Sequence, residues 1–542
     1  MAGRMAERVT AGRTAATGYE ARPGADGALP IAALIAVLDF LAALYINLHL
    51  HYISGDAFSR VANAYEVLYG RDPHLAAIGF VWNPLPSLME MPLLLFAGRW
   101  PALAADGVAS LFVSAAFGGV AVYYILKIER ILKVPPLWRS AMALLFAANP
   151  MILFYAANGM SDMMLVGSML GAVSGALGYL RERSLHSLIA AGVWLAVAFG
   201  IRYEGAPLGV FLGLGLAFAL WRQGAGPAEL KGTLLILLAP LLYVSGVWVY
   251  LNWLIMKQPL YFLTSSYGNL SQTSLGSYVL QDAALQSARH HVLGTLLFIG
   301  HMAFLFWPVL LGMAVALALL LSRRGDPAAA VLLGATVGMP LLQAVLVYQG
   351  HSGGWARYFI YYIPDGFLLL AFAASLVRRR GMRAVALMMA VALAVAGDVG
   401  NFHVETSSNV VGKGDIGIVQ SLAALRPLEM YGDADAVVRY LTAHPRMSVL
   451  LDSYLGYPIV LRVHDPSRLI ITADVEFMSI LNNPAGRVDA LLVPKPADVG
   501  TLDAVNRQWP KLWHGGVSWA HLIDAFPGAT GWRLYAVGRG AP

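Results

Sequence analysis

The chain has 542 residues, 58% of them hydrophobic and only 13% charged, with a mean hydropathy of +0.63; soluble domains carry about 25% charged residues, so a polytopic membrane protein is implied. The net charge of +6 does not point to nucleic acid, because the basic residues sit in short loops between apolar runs, as topology signals do. Cysteine is absent, which excludes disulfides, thiolate metal sites and a cysteine nucleophile.

In chain order, residues 1–29 are polar, with Arg4, Arg8, Arg13 and Arg22. They read as a cytoplasmic tail before an uncleaved signal anchor, since no small-x-small pattern follows the first apolar run. That run, 31–48, is the first span, and Asp39 lies inside it. The first outer loop, 49–100, opens on an amphipathic pattern. At about 100° per residue, Asp56, Ser59, Arg60, Asn63 and Glu66 share one arc, and Phe58, Val61, Ala62, Tyr65, Leu68 and Tyr69 share the other. A helix of this kind after a span is expected to lie in the interface with its polar face toward water. Arg71–His74 and Trp82–Pro86 follow, and prolines at 84, 86, 92 and 101 argue for a surface or re-entrant helix over 84–97 instead of a span.

Further apolar runs cover 101–126, 141–155, 161–180, 188–201, 205–221, 233–255, 292–321, 328–348, 359–376 and 384–396. With the first they make about eleven spans, mostly of crossing length. Basic clusters at 127–139, 181–183, 222–231, 323–324 and 378–383 fall at alternate ends, and the positive-inside rule places them in the cytoplasm with the N-terminus. The opposite ends carry Asp56, Asp162, Arg202, Glu204 and Arg357, and a polar loop covers 257–290. Gly167, Gly171 and Gly175 read as a helix-packing face.

Residues 30–399 form the membrane domain. From about 400 to 542 charge and proline rise. Short β-type runs appear at 449–452, 458–463, 469–472, 490–494 and 532–537, with helical patterns at 435–443 and 474–481. This is an α/β soluble domain, expected outside the membrane.

Acids and arginines at one set of span ends suit one chemistry. A carboxylate deprotonates a hydroxyl, and guanidinium groups hold a phosphate that leaves. Each residue also has a structural reading. Ser54 and Asp56 suit a helix N-cap, and Asp162 suits the start of its span. Arg202 and Glu204 suit a local pair, and Arg357 a pair with Asp365. The glycine-rich, aromatic stretch 350–362 around Arg357 and Tyr358 favours a functional role. His74, His290, His291 and His351 share that side without metal-ligand spacing. Asp433-Ala-Asp435 matches Asp-x-Asp but equally suits the acidic first turn of a helix. No Walker A, dinucleotide fingerprint or H-E-x-x-H occurs.

Several features together resemble the GT-C class of integral-membrane glycosyltransferases that use a polyprenyl-phosphate-linked sugar, such as protein O-mannosyltransferases and the lipid A aminoarabinose transferase. They are Ser54-Gly55-Asp56, Asn83-Pro84-Leu85, Asn149-Pro150 with Ser161-Asp162, Arg202-Tyr203-Glu204-Gly205 and the terminal Trp532-Arg533-Leu534-Tyr535. The resemblance implies Asp56 as base, with Asp162 as a second catalytic acid. It implies Arg202 and Arg357, with Arg60 and Tyr358, at the donor phosphate, and Glu66, His74, Asn83 and Glu204 elsewhere in the pocket. One acid at 56, not an adjacent pair, leaves a divalent metal open, and no other cofactor is expected. The expected partners are a polyprenyl-phosphate sugar donor, a lipid, glycan or protein acceptor, and the lipid bilayer, with no nucleic acid. The expected reaction is an inverting transfer at the outer face of the cell (inner) membrane. A lipid-linked sugar flippase or other transporter is the rival reading, with Asp39 its main mid-span candidate.

Overall fold

The computed structural model describes residues 27–274, 283–322, 325–407, 416–428 and 430–538. The basic tail 1–26, Arg323, Arg324 and the loop residues 275–282 lie outside them.

The chain is mainly helical. Helix α1 (Ala28–Leu50) buries Ala32, Ile35, Asp39, Ala43 and Asn47 on one stripe and leaves the rest apolar and exposed, as a lipid-facing helix at the rim of a bundle does. Asp39 is explained by this stripe, because its carboxylate fills the space over Gly118, where any Cβ would collide with it. Helix α2 (Gly55–Tyr69) follows, then α3 (Leu85–Leu94), with Pro92 inside it. Next come α4 (Val108–Ile131), α5 (Pro136–Ala148), α6 (Pro150–Ala156), α7 (Ser161–Glu182), α8 (Leu185–Ile201), α9 (Gly205–Arg222) and α10 (Pro227–Met256). The bundle closes with α11 (Val292–Met302), α12 (Pro308–Leu321), α13 (Ala328–Gln349), α14 (Tyr362–Ser375) and α15 (Arg380–Thr406).

Among the described residues, eight helices are long and apolar enough to cross a membrane. Two bent pairs, α5 with α6 at 67° and the 292–306 segment with α12 at 108°, raise the number to ten. The shorter apolar α8 occupies the remaining expected span. The bend at Asn149-Pro150 has a local cause. Proline ends the backbone ladder, and Asn149 caps the new helix by accepting from Met151 and Ile152 N–H at 3.1 and 3.2 Å. In α7, Gly171 and Gly175 lie against Trp194 and Ala191 of α8, and Gly167 against Phe117 of α4.

Charge separates the two ends of the bundle. Arg181 pairs with Asp326 at 2.7 Å and Arg183 with Glu229, while Arg222 donates to the Leu320 and Ser322 carbonyls at 3.0 and 2.6 Å. These contacts gather the basic loops at one end.

One expectation needs correction. The polar arc of α2 does not face water, since Arg60 is 8% and Glu66 3% exposed. The helix is sandwiched, with the Phe58 ring tilted against Tyr431 at 5.5 Å and edge-on to Tyr457 at 5.8 Å in the C-terminal unit.

That C-terminal unit holds a five-stranded sheet, β1 (Val449–Leu450), β2 (Leu469–Ile470), β3 (Ala490–Pro494), β4 (Ala520–Phe526) and β5 (Trp532–Val537), in the order β2-β1-β3-β5-β4. The first three are parallel, and β5 runs antiparallel to both β3 and β4. Alternate strand residues face two cores. Val449, Leu492 and Leu534 meet α16 (Gly432–Ala443) and α17 (Ser453–Arg462); Leu450, Leu491 and Tyr535 meet α18 (Phe477–Asn482) and α19 (Ala504–Gln508). The run 458–463, expected as a strand, belongs to α17, which Asp452 caps through Tyr454 N–H at 2.9 Å. Its Ile459 and Val460 face the sheet while Leu461 joins the core of the membrane bundle. A short apolar run buried on two sides has no period that separates helix from strand. Strand β4 was missed because it is an edge strand with a largely exposed middle.

Candidate active site

The loops at the end of the bundle opposite the basic clusters carry the charged residues, and the C-terminal unit covers them. Asp56 sits in the first turn of α2 without capping it. Its Oδ2 accepts from Arg357 Nη1 at 2.9 Å, and its side chain keeps 39% of its surface open. So Arg357 pairs with Asp56, whereas Asp365 lies buried beyond it in α14. The Arg357 guanidinium also stacks on Trp355 at 4.5 Å and Tyr358 at 5.4 Å. Crowding by protein works to raise the Asp56 carboxyl, but Arg357, Arg60 and Arg202 hold it below the usual carboxylate range.

A second group adjoins this pair. Arg202, extended at the end of α8, donates from Nη1 to Asp162 Oδ1 at 3.0 Å. Its Nε and Nη2 donate to Glu204 Oε1 at 3.2 and 2.7 Å. It also lies over Tyr358 at 5.6 Å, so one ring is shared with Arg357. Burial works against the Arg202 charge, yet Glu204 and Asp162 hold it above its ordinary value. Burial likewise works to raise Glu204, and Arg202 holds it below the ordinary range. The local-pair reading of Arg202 and Glu204 is therefore met, with Asp162 as a third member.

Arg60 differs from both. It projects from α2 over Trp82 at 5.1 Å and is 8% exposed, and its Nε and Nη1 have no hydrogen-bond partner among the described residues. Burial depresses its pKa, opposed by Asp56. Glu90 in α3 also lies in its field, but complete burial lifts that carboxyl well above the ordinary range, against the pull of Arg60. Arg60 thus has donors in place for an acceptor that the described residues do not supply.

Other expected residues fall elsewhere. Asn83 donates to the Phe199 carbonyl and straps the 82–86 turn to the end of α8 beneath Arg202. Glu66 lies ten residues along α2 from Asp56, about 15 Å at 1.5 Å per residue. It is lifted well above the ordinary range by burial and then by Asp474 and Asp452 of the C-terminal unit. His74 donates from Nδ1 to the Asp72 carbonyl at 2.6 Å and leads into a short turn at 75–78. Neither residue joins the Asp56 group. Asp435 pairs with Arg462 at 2.7 Å, and Asp433 accepts from Thr530 and Gly531 N–H at 2.9 and 2.8 Å, so that motif is structural. Side chains that the sequence reading passed over are Trp82, Trp355, Glu90, Tyr431, Tyr457 and Arg462. The Trp-rich turns were visible as such, but nothing marks which cation each ring would meet.

The donor set does not fit a divalent cation. Asp56 has three guanidinium groups in its field, Asp162 and Glu204 both engage Arg202, and no group of three His, Asp or Glu among the described residues could hold a metal. No step is derived through one.

No family model matches the chain, and no curated protein matches it in sequence. Its fold is similar to that of solved membrane-protein structures. One solved structure it is similar to is ArnT from Cupriavidus metallidurans bound to undecaprenyl phosphate, with TM-score 0.54 at 13% identity, covering 95% of this chain and 98% of that one. The apo state of the same protein gives 0.53 at 12% identity, over 94% and 98% of the two chains. A fainter likeness, TM-score 0.43 at 11% identity over 94% of this chain and 75% of the other, is to the oligosaccharyltransferase AglB from Archaeoglobus fulgidus with an inhibitory peptide and a dolichol-phosphate. At these identities the likeness is one of fold.

Proposed function

We propose that the chain is a membrane glycosyltransferase that moves a sugar from a polyprenyl-phosphate donor to a hydroxyl of an acceptor, with inversion. The observation that carries this reading is Arg60, a buried guanidinium with two unpartnered donors in the electrostatic reach of Asp56. Buried donors are seldom left unpaired, and a phosphate oxygen is the acceptor that best suits a guanidinium. The undecaprenyl phosphate in the ArnT structure supports a lipid phosphate as the leaving group.

In this reading the donor phosphate lies against Arg60 and Arg357. The acceptor oxygen attacks the anomeric carbon as the bond from that carbon to the phosphate oxygen breaks. The acceptor proton goes to the Asp56 carboxylate. The donor is a phosphodiester with one negative charge, and the departing polyprenyl phosphate carries two. The guanidinium groups therefore hold the transition state more tightly than the ground state. Arg357 also serves as a switch. When it turns to the phosphate, Asp56 loses its partner and gains a nearby anion, which raises its proton affinity toward that of a useful base. Arg202 is a positioning residue, since its donors are taken by Asp162 and Glu204. The Asp56 end and the domain from about 400 onward lie outside the cytoplasm, with residues 1–29 inside. The basic loops gathered at the other end support this sidedness.

The test is transfer by purified protein in liposomes from polyprenyl-phosphate sugars. Asp56→Asn should lower the rate about 10²–10⁴-fold, the contribution of a general base, while donor binding is retained. Arg60→Gln should lower it about 10²–10³-fold and weaken donor binding. Lipid movement without a new glycosidic bond would replace this reading with the transporter.

A further inference from the structure

The C-terminal unit meets the outer loops along a seam that the transfer reaction does not use. Just past the end of α2, Asp72 Oδ2 accepts from Val475 N–H at 3.4 Å. The neighbouring Asp474 carboxyl accepts from Ile471 N–H at 2.8 Å and from the Asp72 backbone, so the link runs both ways. Beside α17, Tyr267 of the polar loop donates to Asp452 Oδ2 at 2.9 Å and accepts from Arg507 Nη2 at 3.1 Å, with its ring 5.0 Å from that of Tyr454. Glu66, one turn before the end of α2, is within reach of both Asp474 and Asp452. The three are 3%, 8% and 0% exposed. Carboxyls from the two sides of the seam therefore share ground that water barely reaches.

We propose that a proton held at Glu66 clamps the C-terminal unit onto the membrane bundle, so that the seam is closed in mild acid and loosens as pH rises. Among the described residues, the charged side chains that act on Glu66 are Asp474 and Asp452, both acidic. The nearby cations serve other groups. Arg71 acts on Asp474, and Arg507 on Tyr267 and Asp503. Arg60, six residues back on α2, is about 9 Å away along the helix axis and lies over Trp82. Asp452 is the acid built to stay ionised, because its oxygens accept from Tyr454 N–H, Ala504 N–H, the Thr472 hydroxyl and Tyr267. Asp503, wholly buried behind it, adds an acid to the same side and no counter-charge. A buried charge facing acids without a counter-ion is costly, so Glu66 enters the seam as the neutral acid. Burial, then Asp474 and Asp452, lift its carboxyl well above the ordinary range. With the unit moved away, Glu66 stands on the polar arc of α2 in water and titrates near the ordinary value of about 4.3. The closed state binds one more proton between those two values. Closure is therefore favoured below the higher value and lost as pH rises through it.

The experiment is pulsed electron resonance between two spin labels on the full chain in lipid nanodiscs, from pH 5.5 to pH 9. The chain has no cysteine of its own, so Leu75→Cys in the outer loop and Leu522→Cys in the C-terminal unit, at side chains 63% and 52% exposed, place one label on each side of the seam. One short, narrow distance is expected at pH 5.5. A longer, broader population should grow as pH rises, its ratio to the short one increasing by up to about tenfold per pH unit, the slope for one proton. Glu66→Gln, which has no charge to bury, should keep the short distance to pH 9. Asp474→Asn, which removes an acid facing Glu66 and keeps an oxygen for Ile471 N–H, should reduce the loosening, and it carries the test if Glu66→Gln does not fold. The control is Asp498→Asn, an exposed acid of the same unit, which should behave as the parent. A distance distribution that does not change with pH overturns the proposal. So does a pH dependence that Glu66→Gln and Asp474→Asn leave as in the parent, or one that the control removes equally. Transfer activity is not the readout, so failure of the glycosyltransferase reading leaves this test intact.

Discussion

Arg202→Met probes the charge network most directly. Arg202 is 14% exposed and its partners Asp162 and Glu204 are 1% and 11% exposed, so the variant leaves two carboxylates buried without a counter-ion. Breaking a buried pair from one side costs about 3–5 kcal/mol. Protonation sets a ceiling. Neutralising a carboxyl near pH 7 takes about three pH units from its ordinary value, about 4 kcal/mol each, so two acids bound the penalty at about 8. We expect a value near the lower figure, because Arg357 remains in the field of both acids. The assay is thermal unfolding in detergent from pH 8 to pH 5. In the parent chain Arg202 depresses the folded-state pKa of Glu204. That contribution is present above the unfolded pKa and is lost only as pH falls through the lower folded value. Across pH 8 to 5 the parent is therefore flat with respect to this group. In the variant, burial acts on Glu204 with only Arg357 and a backbone hydrogen bond to oppose it, so its pKa rises from the parent's. The variant is then least stable at pH 8 and recovers as pH falls. The gap between the two melting curves should narrow toward pH 5. A gap that stays constant, or is absent, refutes the reasoning.

Three further outcomes follow from named contacts. Glu90→Gln should leave the melting temperature near that of the parent at pH 7, since burial favours the neutral carboxyl; a loss of several kcal/mol would mean that Glu90 is the ionised partner of Arg60. Arg462→Ala should free the C-terminal unit from the bundle, because that side chain joins Asp435, the Ala105 carbonyl and the rings of Phe58 and Tyr431; limited proteolysis between 400 and 430 should speed up while far-UV helicity is kept. Asp433→Ala should cost about 1–3 kcal/mol and accelerate amide exchange at Thr530 and Gly531, whose N–H groups it accepts.

The membrane character, the order of spans and the pairing of acids and arginines at one set of span ends were legible in the sequence. They follow from one-dimensional quantities: the length of apolar runs, the positions of prolines and the alternation of basic loops. The break at Asn149-Pro150, inside a run expected as one span over 141–155, has a local cause, because proline and a capping Asn act within one turn. Which charge meets which was not legible. Arg357 finds Asp56 instead of Asp365, and Arg202 gathers Asp162 as well as Glu204, through helices about 40 to 300 residues apart. Glu66, on the same polar arc as Asp56, is carried to the C-terminal unit by the rise of its own helix. Arg60 and Glu66 on the polar face of α2 are dry because segments distant in sequence pack there, Trp82 against Arg60 and the C-terminal unit near Glu66. Residues 458–462 are helical, and the sequence could not show it because both faces of the run are buried, which removes the periodicity that tells a strand from a helix. Local chemistry sets where an element begins, bends and ends. The partner of a buried charge is set by packing between distant segments, and only the folded chain brings those together.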